Sequence, residues 1–231
     1  MDTARARSFG AVAQTYDRAR ATYPRAAVEW ALAAASGRAG RVVFVRNTGK
    51  LCFATLQEGL SLSDTGVRLQ VMLSRDEVGE EALAGTAEQV PLPDASVDAV
   101  LVGQAWHWFD QDAALAEVRR VLRPGGAVGL LWNVFDDRVP WVAALVQATG
   151  AEDRRSAMDD TPPLPGAERR EIGHSQPMTR DLLADNIASR SAVVLMAPAE
   201  RAELLRRVRE LAPADEVDVP WVCDTWRLRL P

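Results

Sequence analysis

The residue that could most directly do chemistry in this sequence is a histidine between two tryptophans. His107 lies between Trp106 and Trp108, shortly after Gln104. Because imidazole titrates near neutral pH, His107 has the properties of a general base. Two flanking tryptophans are equally typical of a segment that packs beneath a helix. The residue types alone leave both interpretations of His107 open.

The other reactive side chains do not form a recognisable site. The chain has two histidines and two cysteines, His107, His174, Cys52 and Cys223. The cysteines form no CxxC pair, and no spacing among these residues is typical of metal ligands. We expect no metal site and two cysteines that pack as thiols in a reducing compartment, with a disulfide as the alternative.

Size and charge limit the class of protein. The chain has 231 residues, 48% of them hydrophobic and 26% charged, which suits one well-buried α/β domain. Its net charge of -5 disfavours nucleic acid as a partner, since a phosphate backbone needs a concentrated basic face. Residues 1–23 lack the apolar core of a signal peptide, and no apolar run approaches the ~20 residues that cross a bilayer. We expect a cytoplasmic protein without a membrane partner.

Strand and helix patterns alternate along the chain. Four strand-favouring residues at 42–45 predict a buried strand, and the run VDAVLV predicts another. A helix with an apolar stripe follows that second strand, and a Pro-Gly-Gly turn ends the helix. The run AVGLLW after the turn predicts a further buried strand. This rhythm indicates right-handed crossovers and a largely parallel sheet. The sequence predicts helices at 26–35 and 112–122, and strands at 41–45, 60–63, 83–84, 97–102 and 127–132.

The last part of the chain is less regular at first and then helical. Residues 136–173 are rich in charge, proline and glycine, and we predict a helix at 140–148 followed by a variable loop. A second helix is expected at 179–189 with Thr179 as its N-cap. A third is expected at 198–211 with proline in its first turn, before a last strand at 220–230.

Four motifs in a fixed order resemble one family. They are the N-terminal pattern from Ser8-Phe9 through Tyr16-Asp17 to Tyr23-Pro24, AEQVPLPDASVD at 87–98, QAWHWF at 104–109 and EVRRVLRPGG at 117–126. Together they resemble class I methyltransferases that use S-adenosylmethionine (SAM), of the type 11 group and its trans-aconitate methyltransferase-like branch. The resemblance covers residues 8–36 and 82–231.

This resemblance implies a fold and an activity. The fold is a doubly wound three-layer α/β sandwich with a seven-stranded, mostly parallel sheet. A single methyltransferase-like domain would consist of an N-terminal helical cap (1–36), a cofactor-binding half (37–135) and a variable substrate-side half (136–231). The activity is transfer of a methyl group from SAM to a small-molecule acceptor, such as a carboxylate in the trans-aconitate branch.

The resemblance also implies which residues form the site. Trp106 and His107 would face the substrate. No catalytic residue is assigned, because methyl transfer depends mainly on positioning and desolvation. Asp64 would bind the ribose, residues 86–88 the adenine, and Gln104 would lie beside the reacting methyl group. The cofactor-binding residues implied in this way are Tyr16, Arg20, Thr48, Gly49, Asp64, Thr86, Ala87, Glu88 and Gln104.

The segment after the first strand departs from the family pattern. The family has D-x-G-x-G-T-G there, whereas this chain has VRNTGKL, without the acidic residue and the first two glycines. Such glycines let the backbone approach the cofactor, and the following helix offers N–H groups to the carboxylate of the methionine tail. Each lost contact costs about 1–3 kcal/mol of cofactor binding.

Two origins and three functions remain open for this sequence. Residues 42–80 are either natural drift or the product of two compensating frameshifts. An active methyltransferase is the main hypothesis, and a catalytically inactive methyltransferase-like pseudoenzyme or scaffold is the alternative. A nicotinamide-dependent oxidoreductase is disfavoured because G-x-G-x-x-G is missing after the first strand.

Overall fold

The computed structural model describes residues 19–33, 42–48, 51–57, 69–74, 86–150 and 164–231. Strands and helices alternate through most of these ranges. The helices are α1 (Arg25–Leu32), α2 (Gln111–Val121), α3 (Pro140–Thr149), α4 (Arg180–Ala188), α5 (Ser191–Val194) and α6 (Pro198–Leu211), with a short 3-10 helix at Trp106–Trp108. The strands are β1 (Val42–Thr48), β2 (Leu51–Gln57), β3 (Leu69–Ser74), β4 (Val97–Gly103), β5 (Leu122–Phe135), β6 (Glu168–Thr179) and β7 (Glu216–Arg229).

The strands of the described ranges form one mixed sheet in the order β3-β2-β1-β4-β5-β7-β6. β4 is parallel to both β1 and β5, as predicted. β2 is antiparallel to both β1 and β3, so the prediction of a mostly parallel sheet is wrong for the first three strands. The reason is the connection between β1 and β2, which consists of residues 49 and 50 alone. A parallel crossover needs about a dozen residues.

The unit β4-α2-β5 forms as the sequence predicts. β4 is buried along most of its length, and α2 packs through Ala114, Val118 and Val121. Asp110 caps α2 by accepting a hydrogen bond from the Ala113 N–H at 3.2 Å. β5 begins at the residue after α2, earlier than predicted, and includes the Pro-Gly-Gly turn.

Most other elements agree with their predictions. The predicted helices α1, α3, α4 and α6 are present, and Thr179 caps α4 by accepting from the Leu182 N–H at 3.1 Å. β6 was not predicted, since residues 168–173 were assigned to a loop. The strands predicted at 60–63 and 83–84 lie outside the described residues. Within the ranges that the structure covers, no helix is both long and apolar enough to span a membrane.

The chain divides into two compact units. The first unit comprises residues 1–24, 133–162 and 171–223, and the second comprises residues 25–132, 163–170 and 224–231. In the core of the first unit, the Phe135 and Trp221 rings stack with centroids 4.2 Å apart. In the second unit, β5 packs against α1 so closely that a Cβ at Gly129 would lie 2.8 Å from that of Ala31.

A buried ion pair joins β6 to β7 within the second unit. Arg169 donates from Nε to Asp224 Oδ1 at 2.8 Å and from Nη2 to Oδ2 at 3.2 Å. The Asp224 carboxylate also accepts a hydrogen bond from Trp226 Nε1 at 3.2 Å. Its side chain is 5% exposed, so these contacts replace nearly all of its hydration.

Candidate functional site

The carboxyl end of β4 contains a residue with unusual backbone geometry. Gln104 follows the last residue of β4 and has a φ of 55°, in the left-handed region that side chains with a Cβ rarely adopt. Its N–H donates to the Leu131 carbonyl of β5 at 2.9 Å, which fixes the turn. Ligands of open α/β folds bind beyond the carboxyl ends of parallel strands, and strained residues cluster at such sites.

The loop before β4 contains the residues predicted to lie near adenine. Thr86 and Gln89 exchange two backbone hydrogen bonds of 3.1 Å, which places Ala87 and Glu88 in a tight turn. The Glu88 carboxylate accepts a hydrogen bond from the Asp110 N–H at 3.0 Å, immediately before α2. Glu88 therefore helps to fix the loop against the start of this helix.

Two charged residues of α2 brace the same loop. Glu117 accepts from the Val90 N–H at 2.7 Å, and Arg120 donates to the Val90 carbonyl at 3.0 Å and to the Leu92 carbonyl at 2.9 Å. Arg120 also contacts both carboxylate oxygens of Glu117, at 2.6 and 2.8 Å. These hydrogen bonds lower the pKa of Glu117 and raise that of Arg120. These contacts attach the loop to α2.

An apolar hollow opens between this loop, β4 and α2. The loop contributes Ala87, Val90 and Leu92, and the segment after β4 contributes Trp106 and Phe109. Almost all of the surface in this hollow is carbon, so it disfavours a charged group.

The two residues predicted to face the substrate differ in exposure. Trp106 is 1% exposed, and its ring meets that of Phe109 edge to face with centroids 5.8 Å apart. His107 is exposed. Trp106 packs against Phe109 in the structure, and the substrate contacts of Trp106 and His107 stay predictions.

A polar cluster in the first unit holds the main chain of residues 19–22. Asn133 donates to the carbonyls of Ala21 and Thr22 at 3.2 and 3.0 Å. Gln176 accepts from the Thr22 N–H at 3.0 Å, and Asn186 donates to the Ala19 carbonyl at 2.9 Å. Three amide side chains thus fix this segment.

Titratable side chains of the first unit lie near this segment. Burial lowers the pKa of Arg20 and raises the pKa of Tyr23 to about 12. The ring Nε2 of His174 lies 3.2 Å from Asn133 Oδ1, and burial lowers the pKa of this histidine. His174 lies half-buried in β6.

The predicted cofactor-binding residues fall into three groups. Tyr16, Gly49 and Asp64 lie outside the described residues. Arg20 belongs to the first unit. The second unit contains Thr48, Thr86, Ala87, Glu88 and Gln104.

Sequence reasoning missed the polar residues that organise each unit. Asn133 and Asn186 were not singled out, nor was the brace formed by Glu117 and Arg120. A signal existed for Asn133, because it follows the buried run AVGLLW directly, at the point where polar site residues follow a parallel strand. In the described ranges, no group of histidine, cysteine and carboxylate side chains could hold a metal ion.

Comparison with known proteins identifies the family. A model described as a methyltransferase domain matches residues 57–130. An uncharacterised methyltransferase of Mycobacterium tuberculosis strain H37Rv is 38% identical over 208 residues, which cover 88% of this chain and 85% of that protein. At this identity and coverage, the chain belongs to the class I SAM-dependent methyltransferase family.

Two other similarities are weaker or more local. A lysine–tRNA ligase of Kineococcus radiotolerans is 62% identical over 58 residues, which make up 25% of this chain and 11% of the ligase. A solved structure described as a type II methyltransferase of Anaeromyxobacter dehalogenans is 28% identical, covers 63% of this chain and 69% of its own, and has a TM-score of 0.45.

The described residues do not fit the way in which this family holds the methionine end of SAM. That end needs a glycine-rich loop and a helix N-terminus after the first strand. Here Thr48 of β1 pairs with Leu51 of β2 in an antiparallel hairpin. Two connecting residues leave no room for the helix, so the N–H groups that would bind the tail carboxylate are missing from this position.

Proposed function

We propose that the chain transfers a methyl group from SAM to a small-molecule acceptor. The observation that carries this proposal is the geometry of Gln104, held in the left-handed region at the carboxyl end of β4. Such strain of about 1–2 kcal/mol persists only where the surrounding structure imposes it, and strained residues cluster at active sites. The family relationship supplies the reaction class.

We place the adenosine part of the cofactor in the second unit. We assign the adenine ring to the outer side of the braced loop at residues 86–94, on the grounds that Ala87 is small and that the loop is held against α2. SAM would supply the electrophilic methyl group, while the residues of this chain position and desolvate the adenosine. With the methionine end poorly held, binding would depend mainly on this adenosine contact.

We propose a small organic acid as the acceptor class, on the resemblance to the trans-aconitate branch. The net charge of -5 argues against nucleic acid as the substrate. Assays with labelled SAM and a panel of small carboxylic acids test this assignment. Methylation of RNA or of a protein in place of these acids would contradict it.

The role of Gln104 can be tested with a matched control. Gln104 and Ala95 are the described residues other than glycine that have a positive φ, of 55° and 48°. Replacing either with glycine should relieve about 1 kcal/mol of strain and raise the melting temperature by about 2–4 °C. Only Gln104→Gly should also weaken binding of S-adenosylhomocysteine (SAH), measured by calorimetry. Equal SAH affinity in the two variants would contradict a cofactor role for Gln104.

A second candidate is a methyltransferase-like protein without activity, which the β1–β2 hairpin favours. Loss of the tail contacts would leave the sulfonium poorly oriented for transfer. Single-turnover measurements at saturating SAM separate the candidates. Methyl transfer to any acceptor supports the enzyme, and saturable SAH binding without transfer supports the inactive form.

A further inference from the structure

The first three strands form a regular element that departs from the rest of the fold. All seven residues of β1 pair with residues of β2, from Val42 with Gln57 to Thr48 with Leu51. β2 pairs in the same continuous way with β3, from Leu51 with Ser74 to Leu56 with Leu69. Two matched antiparallel ladders are the mark of a sequence selected to form them. A segment read out of frame would have no reason to form such ladders.

The methyltransferase-domain match covers this part of the chain only in part. The methyltransferase-domain match begins at residue 57, the last residue of β2, so it leaves out β1 and nearly all of β2. The match includes β3, but the methyltransferase-like motifs within it begin only at residue 87. The ligase-like stretch has higher identity than the methyltransferase-like alignment, 62% against 38%, but spans only 58 residues. The methyltransferase-like motifs quoted from the sequence all lie outside residues 37–81, and we therefore assign the ligase-like stretch to this region.

We infer that the chain is a hybrid in which a segment shared with lysine–tRNA ligases, containing β1–β3, replaces the first strand-helix-strand unit of a methyltransferase. This replacement, rather than any change in residues 86–231, removes the binding site for the methionine end of SAM. The inference rests on the proposed function, since it assumes that the rest of the second unit still accepts adenosine. It disfavours both gradual drift and paired frameshifts as the origin of the segment.

The direct test exchanges the segment. Residues 37–81 are replaced by the aligned residues of the Mycobacterium tuberculosis methyltransferase, and SAH binding is measured by calorimetry. Restoring two or more tail contacts should tighten binding by about 100-fold. As a control, exchange of α3 (Pro140–Thr149) with the same relative should leave SAH affinity unchanged.

The outcomes separate this inference from the proposed function. If the parent chain and the exchanged chain bind SAH within about threefold of each other, the inference is wrong and the proposed function stands. If neither binds SAH or 5′-methylthioadenosine, both are wrong.

Two further measurements keep the inference testable should the exchanged chain fail to fold. The reciprocal graft puts residues 37–81 of this chain into the Mycobacterium methyltransferase and should weaken SAH binding by about 100-fold. An unchanged affinity would overturn the inference. In the unmodified chain, cross-strand amide contacts in NMR spectra should place Arg46 opposite Phe53. A helix between β1 and β2 in those spectra would also overturn it.

Discussion

Removing the arginine of the buried ion pair between β6 and β7 should strongly destabilise the second unit. In the variant Arg169→Met, the Asp224 carboxylate keeps the hydrogen bond from Trp226 but loses both contacts with the guanidinium. The side chains of Arg169 and Asp224 are 26% and 5% exposed, so water cannot readily replace the lost partner. Breaking such a pair costs about 3–5 kcal/mol.

We expect the lower end of this range, about 3 kcal/mol, because Arg169 is partly solvated. For a chain of this length, that loss lowers the melting temperature by about 6–12 °C. Circular dichroism during thermal unfolding measures the shift. The double variant Arg169→Met with Asp224→Asn should recover much of the loss, since an amide needs no counter-charge.

The matched control is a surface arginine with two ion pairs. Arg206 contacts Glu203 and Glu210 on α6, and these three side chains are 56%, 64% and 60% exposed. Arg206→Met should leave the melting temperature within experimental error, because solvent screens exposed pairs. The reasoning would be refuted if Arg206→Met were as damaging as Arg169→Met, or if the latter cost less than about 1 kcal/mol.

Three further outcomes follow from the packing and the pKa values. Gly129→Ala should destabilise the chain by about 1–3 kcal/mol in denaturant titrations, because the new Cβ would lie 2.6 Å from Leu101 Cδ2. Gly173→Ala is the control and should leave the stability unchanged, because a Cβ there has nothing within 4 Å. Burial raises the pKa of Tyr23 to about 12, so the stability it contributes should be present below pH 10 and decline as the pH rises towards 12. Tyr23→Phe should remove this decline. If the stability of that variant still declines in the same way above pH 10, the decline does not come from Tyr23. Burial lowers the pKa of His174, so its ring protons should titrate below pH 6.5 in NMR spectra, and stability should fall as the pH drops below 6.5. A midpoint at or above 6.5 would contradict this.

The central unit of the fold could be predicted because local signals agree there. The run VDAVLV indicates a buried strand, and the apolar stripe of α2 indicates a helix. The Pro-Gly-Gly sequence indicates where that helix ends, so the three signals are consistent with one another. β6 could not be predicted in the same way. It is the last strand in the sheet order, and charged residues along ERREIGHSQPMT hide its alternation, as is common in edge strands.

The sequence patterns could not predict the relative orientation of the first three strands. The residues of β2, LCFATLQ, favour a strand, but a strand pattern does not say whether its partner runs parallel or antiparallel. The family resemblance predicted a loop and a helix there, and the two-residue connection excludes them.

The place of Gln104 in the fold could be predicted, but its backbone conformation could not. Gln104 was expected beside the reacting group because it follows a buried parallel strand, yet its left-handed backbone has no signal in a glutamine. The contacts of Arg120 with Val90 and Leu92 join residues far apart in sequence and depend on side-chain packing.

Comparing two ligands that differ only in the amino-acid tail tests the central claim most directly. SAH carries the methionine-derived tail, and 5′-methylthioadenosine lacks it. If the chain holds the cofactor by its adenosine end alone, the two dissociation constants measured by calorimetry should agree within about tenfold. SAH binding that is about 100-fold tighter or more would show that the tail is held after all and would contradict the account.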